Sequence, residues 1–571
     1  MPDSRPPQRS PQPPSMTITM ATSITMVGMA LSKITGFLRE IFIVPKFGYG
    51  PLSDAYVFSF QIPDFIYELM VGGAVAATIT PALAAGIEKE RRYPGQYQVV
   101  VNGQLCRINQ EKKAWYSVNI LLSFSLLILI GVLIMAYLFM PMLVPIMLGR
   151  MGEGGKELDP ATMELICSTT RILLFQTICM AVISALQGIL QAYGRFGKAS
   201  FGSSIYNISY LTVLLLLGDK SPEAVTKVAW GVVFSAALYL IYQAFLARHE
   251  LPNFYFKLDL QDPDFRALFK LSIPILLSSS VMQLNVIIMN SFTAGQSGHA
   301  TTLRQANTTW SLPYTVFVVA IGSVILPSIS QAVSLRQNKT VVDLYYNSLR
   351  QALFFVVPCA VAFATLSFDT IQAIFQWNPA TYSNADVAVT AGVLPIFCLT
   401  LLGQSVIFIS NQTCYAYGLT KISLFNGLAG LILNPLFCWL FTRKFDFGVK
   451  GLAMASALYT CLMAVVLYMY IARRMGSRKL FPITSYSLRL GIAAALTFGI
   501  TYAWSMTPLY PTHKIFQLVV YGLKVLICFV SYFITCLALD LREAVLLQNK
   551  VRAVIGLPPI RSSSLRTRSR R

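Results

Sequence analysis

The chain has 571 residues, of which 55% are hydrophobic and only 12% charged, with a mean hydropathy of +0.60. A soluble domain carries roughly 25% charged residues, so the composition excludes a soluble globular protein and assigns a polytopic membrane protein. The net charge of +21 would suggest nucleic acid in a soluble chain; here it reads first as positive charge holding loops on the cytoplasmic side.

In chain order, residues 1–16 are rich in proline and polar side chains and predict a disordered cytoplasmic tail. The first apolar run follows without a small-residue cleavage site, so it reads as a retained helix rather than a signal peptide. Apolar runs of about twenty residues, the length that crosses ~30 Å of hydrocarbon, recur about fourteen times. The first six lie near 17–44, 54–87, 115–148, 161–193, 199–217 and 225–247. Six more lie near 265–294, 301–333, 344–376, 387–417, 422–441 and 449–471, and a last pair near 485–504 and 515–539. The predicted fold class is an all-α polytopic membrane protein.

The spans group into an N-terminal six-helix half at 17–247, a cytoplasmic linker at 248–264, a C-terminal six-helix half at 265–471, two further helices within 485–539 and a basic cytoplasmic tail at 540–571. Within the first half, 89–114 reads as a hairpin-like cytoplasmic loop. Its YQVVVNGQLCRI alternates about Asn102-Gly103, the chemistry of a two-residue hairpin turn; an irregular loop is the alternative.

The halves also repeat. IPDFIYELMVG (Pro63, Gly72) and LPYTVFVVAIG (Pro313, Gly322) share one proline-to-glycine spacing, each followed by a second proline, Pro81 and Pro327. Ala192-Tyr193-Gly194 ends the fourth span as Ala416-Tyr417-Gly418 ends the tenth. An even number of spans per half gives both halves the same sense, predicting a pseudo-two-fold axis along the membrane normal and a central cavity. Chance matching of short patterns is the alternative.

With the N-terminus placed in the cytoplasm, the inner segments hold Lys89, Arg91, Arg92, Lys112, Lys113, Arg195, Arg248, Arg473, Arg474 and the basic tail, among others. The outer loops keep few bases, such as Lys46, Lys220 and Lys514. The bias is roughly threefold and predicts both termini inside. Most of the net charge is then topology, and no nucleic acid is expected.

An ionisable side chain at membrane depth costs at least about 2.5–3.5 kcal/mol, so each needs a partner or a wet cavity. SKITGFLRE sets Lys33, Arg39 and Glu40 on the first helix. Lys33 and Arg39 stand about 120° around and ~9 Å along it, although Arg39 and Glu40 could instead snorkel to its outer end. Asp54 opens the second helix, where an N-cap role accounts for it. Asp64 and Glu68, one turn apart after Pro63, read as a cation site or as partners of the helix-one bases. Arg304 stands in TTLRQANTTW, a stretch polar enough to line water. Arg171 reads as half of a structural ion pair, and Asp369, Arg489 and Lys524 as isolated anchors near helix ends. Gly36, Pro63, Gly72-Gly73, Pro313 and Pro358 interrupt spans, which suits a gated cavity and equally suits ordinary packing.

The ten cysteines lie singly, only three histidines occur, and CxxC, HExxH and Walker patterns are absent. No disulfide framework, metal, cofactor or catalytic site is expected.

The run SKITGFLREIFIVPKFGYGPLSDAYVFSFQIPDFIYELMVGGAVAATITPAL resembles the opening of the MurJ (MviN) lipid II flippase family, within the multidrug/oligosaccharidyl-lipid/polysaccharide exporter superfamily. TTRILLF with AYGRFGKASFGSSIYNIS, and LPYTVFVVAIGSVILPSIS, extend the resemblance over most of the chain. It implies a cationic cavity for a lipid-linked diphosphate-sugar, a groove at the last two helices for the polyprenyl tail, and alternating access driven by an ion gradient or the membrane potential. A monomer in the bacterial plasma membrane is expected. The family motif places Lys33, Arg39 and Asp54 at substrate-binding positions. Two departures stand out. Many members carry an arginine on helix two where Tyr67 stands here beside Glu68, and another on helix eight where Thr308 stands. Arg304, one turn from Thr308, is expected to reach the same space. The alternative is a relative exporting another lipid-linked oligosaccharide, or a cation-coupled drug antiporter using Asp64 and Glu68.

Overall fold

Helix starts follow local capping chemistry. The computed structural model describes residues 18–70, 74–93, 98–101, 104–107, 109–148, 159–475, 481–506 and 513–558. Asn109 accepts a hydrogen bond from the Lys112 N–H at 2.9 Å, Asp262 accepts one from the Phe265 N–H at 2.6 Å, and Ser383 shares a reciprocal capping box with Asp386. Ser221 and Asp262 stand directly before Pro222 and Pro263, whose missing N–H groups the first turn would leave unpaired anyway. The expected N-terminal tail, the Gly72-Gly73 pair, the Asn102-Gly103 turn and the arginines beyond residue 558 lie outside the described residues.

The first half runs through α1 (Ile18–Ile41), α2 (Ile43–Phe47), α3 (Pro51–Ser59), α4 (Gln61–Met70), α5 (Ala74–Arg92), α6 (Gln110–Leu138), α7 (Met140–Leu148), α8 (Pro160–Ala192), α9 (Phe196–Ala199), α10 (Gly202–Leu217) and α11 (Pro222–Leu246). Between α5 and α6 stands an antiparallel ribbon of β1 (Gln98–Val101) and β2 (Gln104–Arg107), with Val99 opposite Cys106. The second half comprises α12 (Pro263–Ser291), α13 (His299–Pro313), α14 (Ala320–Ser334), α15 (Asn338–Thr365), α16 (Ser367–Phe375), α17 (Asn384–Ala416), α18 (Thr420–Trp439) and α19 (Gly448–Arg474). A π-helical turn, Tyr314–Val319, joins α13 to α14 directly after Pro313, where the proline has no N–H for the α-helical ladder. α20 (Phe481–Ser505), α21 (Lys514–Ala538) and α22 (Arg542–Val554) close the chain. The last of these lies within the basic segment at 540–571, whose first part is a helix.

Ten of the described helices are long and apolar enough to cross a membrane by length and composition alone, and the described residues of the other expected spans are mainly helical, the second of them divided among α3, α4 and α5. Large apolar side chains point outward, Leu216 at 76% exposure and Ile432 at 69%. In water such a surface would aggregate, whereas in hydrocarbon it is at home.

The repeat is visible in how two helices stop. α8 and α17 each finish on Ala-Tyr-Gly, with Gly194 at φ 72° and Gly418 at φ 71°. The Arg195 N–H then donates to the Leu190 carbonyl, and the Leu419 N–H to the Cys414 carbonyl, both at 2.8 Å. A side chain at either glycine would oppose the left-handed turn that makes this bond. Inside the second half, α17 and α19 approach closely at Gly403, where an added Cβ would meet Thr460 backbone at 3.0 Å.

The linker between the halves is strapped along α6. Asn119 donates to the Asn253 carbonyl at 2.9 Å, Tyr116 to Asp259 at 2.8 Å, and Ser117 to Asp262 at 3.1 Å. The Tyr116 hydroxyl on Asp259 holds that carboxyl below the usual carboxylate range. Elsewhere two expectations change. Arg171 donates to the Tyr137 carbonyl at 3.3 Å and lies over the Tyr137 ring, and it forms no ion pair among the described residues. Asp369 and Lys524 are not separate anchors; they pair at 2.7 Å, with Lys524 1% exposed, and so tie α21 to α16. Arg489 is exposed on α20.

Candidate functional site

The halves meet where α1 ends and α13 begins. Apolar residues make the first layer of this closed end: Ile41 and Val44 share a core with Ile371, Phe375, Tyr382 and Leu394. Phe42 lies 5.6 Å from Trp377 and Tyr49 lies 5.3 Å from Tyr382, ring to ring. Polar contacts add direction. The Tyr49 N–H donates to the Thr381 carbonyl at 3.0 Å, and its hydroxyl meets Thr302 at 2.9 Å. Gly298, at φ +82°, is obligatory here, because a Cβ would stand 2.3 Å from the Tyr49 ring.

Asp54 belongs to this closure. It neither caps its own helix nor lines the cavity. It accepts from the Gly298 N–H at 2.6 Å, the Thr301 N–H at 2.8 Å and the Thr301 hydroxyl at 2.7 Å. These are the unpaired donors of the first turn of α13, at the positive end of its dipole. The carboxylate, 5% exposed, is thus an N-cap supplied by the other half. Asp54, expected at a substrate-binding position, stands here in the closure above the cavity.

Beneath the closed end lies a cavity of about 470 Å³ between the halves. Lys33, Arg39 and Glu40 reach it from α1, Asp64 from α4, and Arg304 from α13. Asn207, Gln283 and Asn290 supply neutral polar atoms. Glu40, which the sequence reading leaves outside the site, is its centre. It accepts from Arg39 Nη2 at 2.7 Å, from Arg304 Nε at 2.7 Å and from Arg304 Nη2 at 2.9 Å. The two bonds from Arg304 form a bidentate fork across the halves. Arg39 also donates to Asn207 at 3.1 Å and lies 4.6 Å from the Tyr210 ring centre. Asn207 in turn donates to the Ser32 carbonyl at 3.1 Å, which fixes its oxygen toward Arg39.

The expected residues therefore separate. Lys33, Arg39 and Arg304 share one cavity, as does Asp64, while Asp54 sits in the gate above it and Glu68 is not among the lining residues. Lys33 is exposed to the cavity. Arg39 does not snorkel outward; it turns inward onto Glu40. Arg39 is answered by the acid next in sequence, Glu40, at 2.7 Å. The lining bases outnumber the lining acids, and two of the bases are guanidiniums already holding an oxyanion pair. Such a site suits a multiply charged anion presenting several acceptor oxygens. Among the described residues, no group of histidine, cysteine and acidic side chains is arranged to hold a metal.

Two repeated helical halves that close at one end over a charged cavity at membrane depth define a transporter. Residues 43–521 match the family "Lipid II flippase MurJ", and the chain belongs to that family. A probable lipid II flippase MurJ of Rhizobium tropici is 24% identical over 520 residues, covering 90% of this chain and 92% of the relative. The lipid II flippase MurJ of Burkholderia cenocepacia is 22% identical over 466 residues, covering 79% and 83%. Among solved structures, a lipid II flippase MurJ in an inward closed conformation matches with a TM-score of 0.70 at 19% identity, over 90% of this chain and 98% of its own. An inward-facing multidrug resistance transporter of the MATE family matches with a TM-score of 0.64 at 16% identity, over 81% and 98%. The fold is thus shared with both of these solved structures.

Proposed function

We propose that this chain is a lipid II flippase, moving the undecaprenyl-diphosphate-linked peptidoglycan precursor from the inner to the outer leaflet of the bacterial plasma membrane by alternating access. The observation that carries the proposal is the pair of arginines, one from each half, held on a single carboxylate in the inter-half cavity. A diphosphate offers the guanidiniums the same planar acceptor geometry as Glu40 with more charge. It competes with Glu40 for Arg304, and the Glu40–Arg304 fork is one of the bonds closing the halves. Headgroup binding then favours the parted state by as much as it prefers freed arginines over paired ones, and no more. Lys33, deeper on α1, meets the sugar-diphosphate on entry.

On this reading both termini are cytoplasmic, because the basic loops lie on the side of α1's beginning. The closed end then faces outward and the cavity is served from the cytoplasmic side. The protein acts as a monomer, with an ion gradient or the membrane potential driving the return. Asp64, within the cavity and one turn from Glu68, is the group placed to respond to a coupling cation. The same residue favours the second reading, an exporter of another lipid-linked oligosaccharide or a cation-coupled drug antiporter.

The deciding test is rescue. Cells depleted of their own flippase should survive on this protein and lyse on its Arg39→Ala or Arg304→Ala variants at equal membrane abundance. Lysis with the unmodified protein, well expressed, would move the assignment to the second reading. Full rescue by Arg304→Ala would remove that arginine from the site.

A further inference from the structure

The last described helix has an apolar face that the protein does not cover. Asp540, in the left-handed region at φ 52°, ends α21 and redirects the chain. The Leu541 N–H donates back to the Cys536 carbonyl at 3.0 Å. The start of α22 is docked: Leu541, Ala544 and Val545 are buried, and the first two join Tyr486, Leu490 and Tyr532 in one core. Arg542 reaches Asn347 on α15 at 3.5 Å. Burial against these helices pushes the Glu543 carboxyl above its ordinary range. Beyond Val545 the helix leaves the protein. Val551 is 51% exposed, Val554 89% and Ile555 67%, with Leu547 exposed at 37% at the foot of the same stripe.

Leu547, Val551 and Val554 fall at the spacing of one helix face, with Ile555 at its edge. Lys550 and Arg552 flank that face, and the next residues are Gly556-Leu557-Pro558. From there to the end the chain adds Arg561, Arg566, Arg568, Arg570 and Arg571, and after Glu543 it contains no acidic side chain. An exposed apolar stripe whose only charged neighbours beyond the docked root are bases, followed in sequence by arginines, is the pattern of a helix lying in the headgroup region of an anionic leaflet.

We infer that α22 docks on the anionic lipid surface beside the transporter. Leu547, Val551, Val554 and Ile555 enter the acyl boundary, Lys550 and Arg552 lie among acidic headgroups, and the arginines that follow in sequence add to the attraction. Because the root of α22 packs on α15 and α20, the lipid-bound helix braces the α20–α21 pair against the leaflet. The occupant is lipid rather than a protein because the face is narrow, flanked by one sign of charge, and emerges at the membrane boundary where α21 ends. Which leaflet is meant rests on the orientation proposed above; the surface itself does not.

The test is amide hydrogen exchange of the full-length protein in nanodiscs, which present both leaflets. Residues 546–557 should exchange at least about tenfold more slowly with phosphatidylglycerol than with phosphatidylcholine alone, a difference lost near 1 M salt, where the screening length falls to ~3 Å. Val551→Asp with Val554→Asp should abolish the protection, and so should replacing the five terminal arginines by glutamine. Both changes lie in exposed or terminal positions, and unchanged exchange in α21 confirms that the fold survives. Equal exchange in the two lipids would overturn the proposal, as would protection that appears only when a soluble acidic protein is added. Neither failure would touch the flippase reading, which cell rescue decides separately.

Discussion

Replacing Glu40 by glutamine should open the closed end. The carboxylate accepts three charge-assisted hydrogen bonds, two of them from Arg304 in the opposite half. Removing one partner of a buried ion pair costs about 3–5 kcal/mol. The Arg39 and Arg304 side chains are 18% and 26% exposed toward the cavity, so water takes up part of the loss and about 2–3 kcal/mol is the working figure. The fork joins the two halves in this closed state, so if it breaks on parting the closed-to-parted equilibrium should move by roughly 30- to 150-fold. Glu40→Gln also frees both guanidiniums, so pyrophosphate should bind more tightly. Spin labels at Lys220 and Pro379, both exposed at the closed end, report the separation by pulsed dipolar spectroscopy in nanodiscs. A new long-distance population is expected without substrate. An unchanged distance distribution together with unchanged pyrophosphate affinity would refute the reasoning.

Three further outcomes follow from the packing. Asp54→Ala strips the α13 N-terminus of its cap and should lower stability by about 2–4 kcal/mol, read as a melting shift; Asp54→Asn, which keeps an acceptor, should recover part of it. Lys524→Met leaves Asp369 without the partner seen at 2.7 Å and should cost about 2–4 kcal/mol, whereas Lys524→Met with Asp369→Leu should melt close to the parent. Gly403→Ala places a methyl 3.0 Å from the Thr460 backbone, which cannot rotate away, so a loss of about 1–3 kcal/mol is expected in thermal unfolding.

The helices were legible because each span needs its own run of apolar residues, and that run is local. So were the twin helix ends at Gly194 and Gly418, since a left-handed stop needs a glycine in sequence. Arg39 and Arg304 were legible as expensive charges, and both reach the cavity. Glu40 was missed as a site residue because adjacency to Arg39 suggests a local pair, and nothing local reveals that a guanidinium from α13 arrives on its other side. The signal available was balance: α1 holds more bases than acids, and α13 brings a further arginine, so a shared acid was required. Asp54 was misplaced because a carboxylate at a helix start looks like that helix's own cap, and only the tertiary fold sets a second helix start against it. The Asp369–Lys524 pair joins helices far apart in sequence, which no periodicity encodes. In α22 the signal was present, since Leu547, Val551 and Val554 repeat at helical spacing, but the surrounding arginines and serines masked it.

The cap that Asp54 lends to α13 has a consequence for the working cycle. A helix start carries about half a positive charge, and here its neutralising carboxylate sits on the other half of the molecule. When the halves part at this end, a bare carboxylate and an uncapped helix dipole face each other across entering water. Their attraction grows as they near and so favours reclosure, adding to the gradient proposed to drive the return, and screening by salt would weaken that contribution.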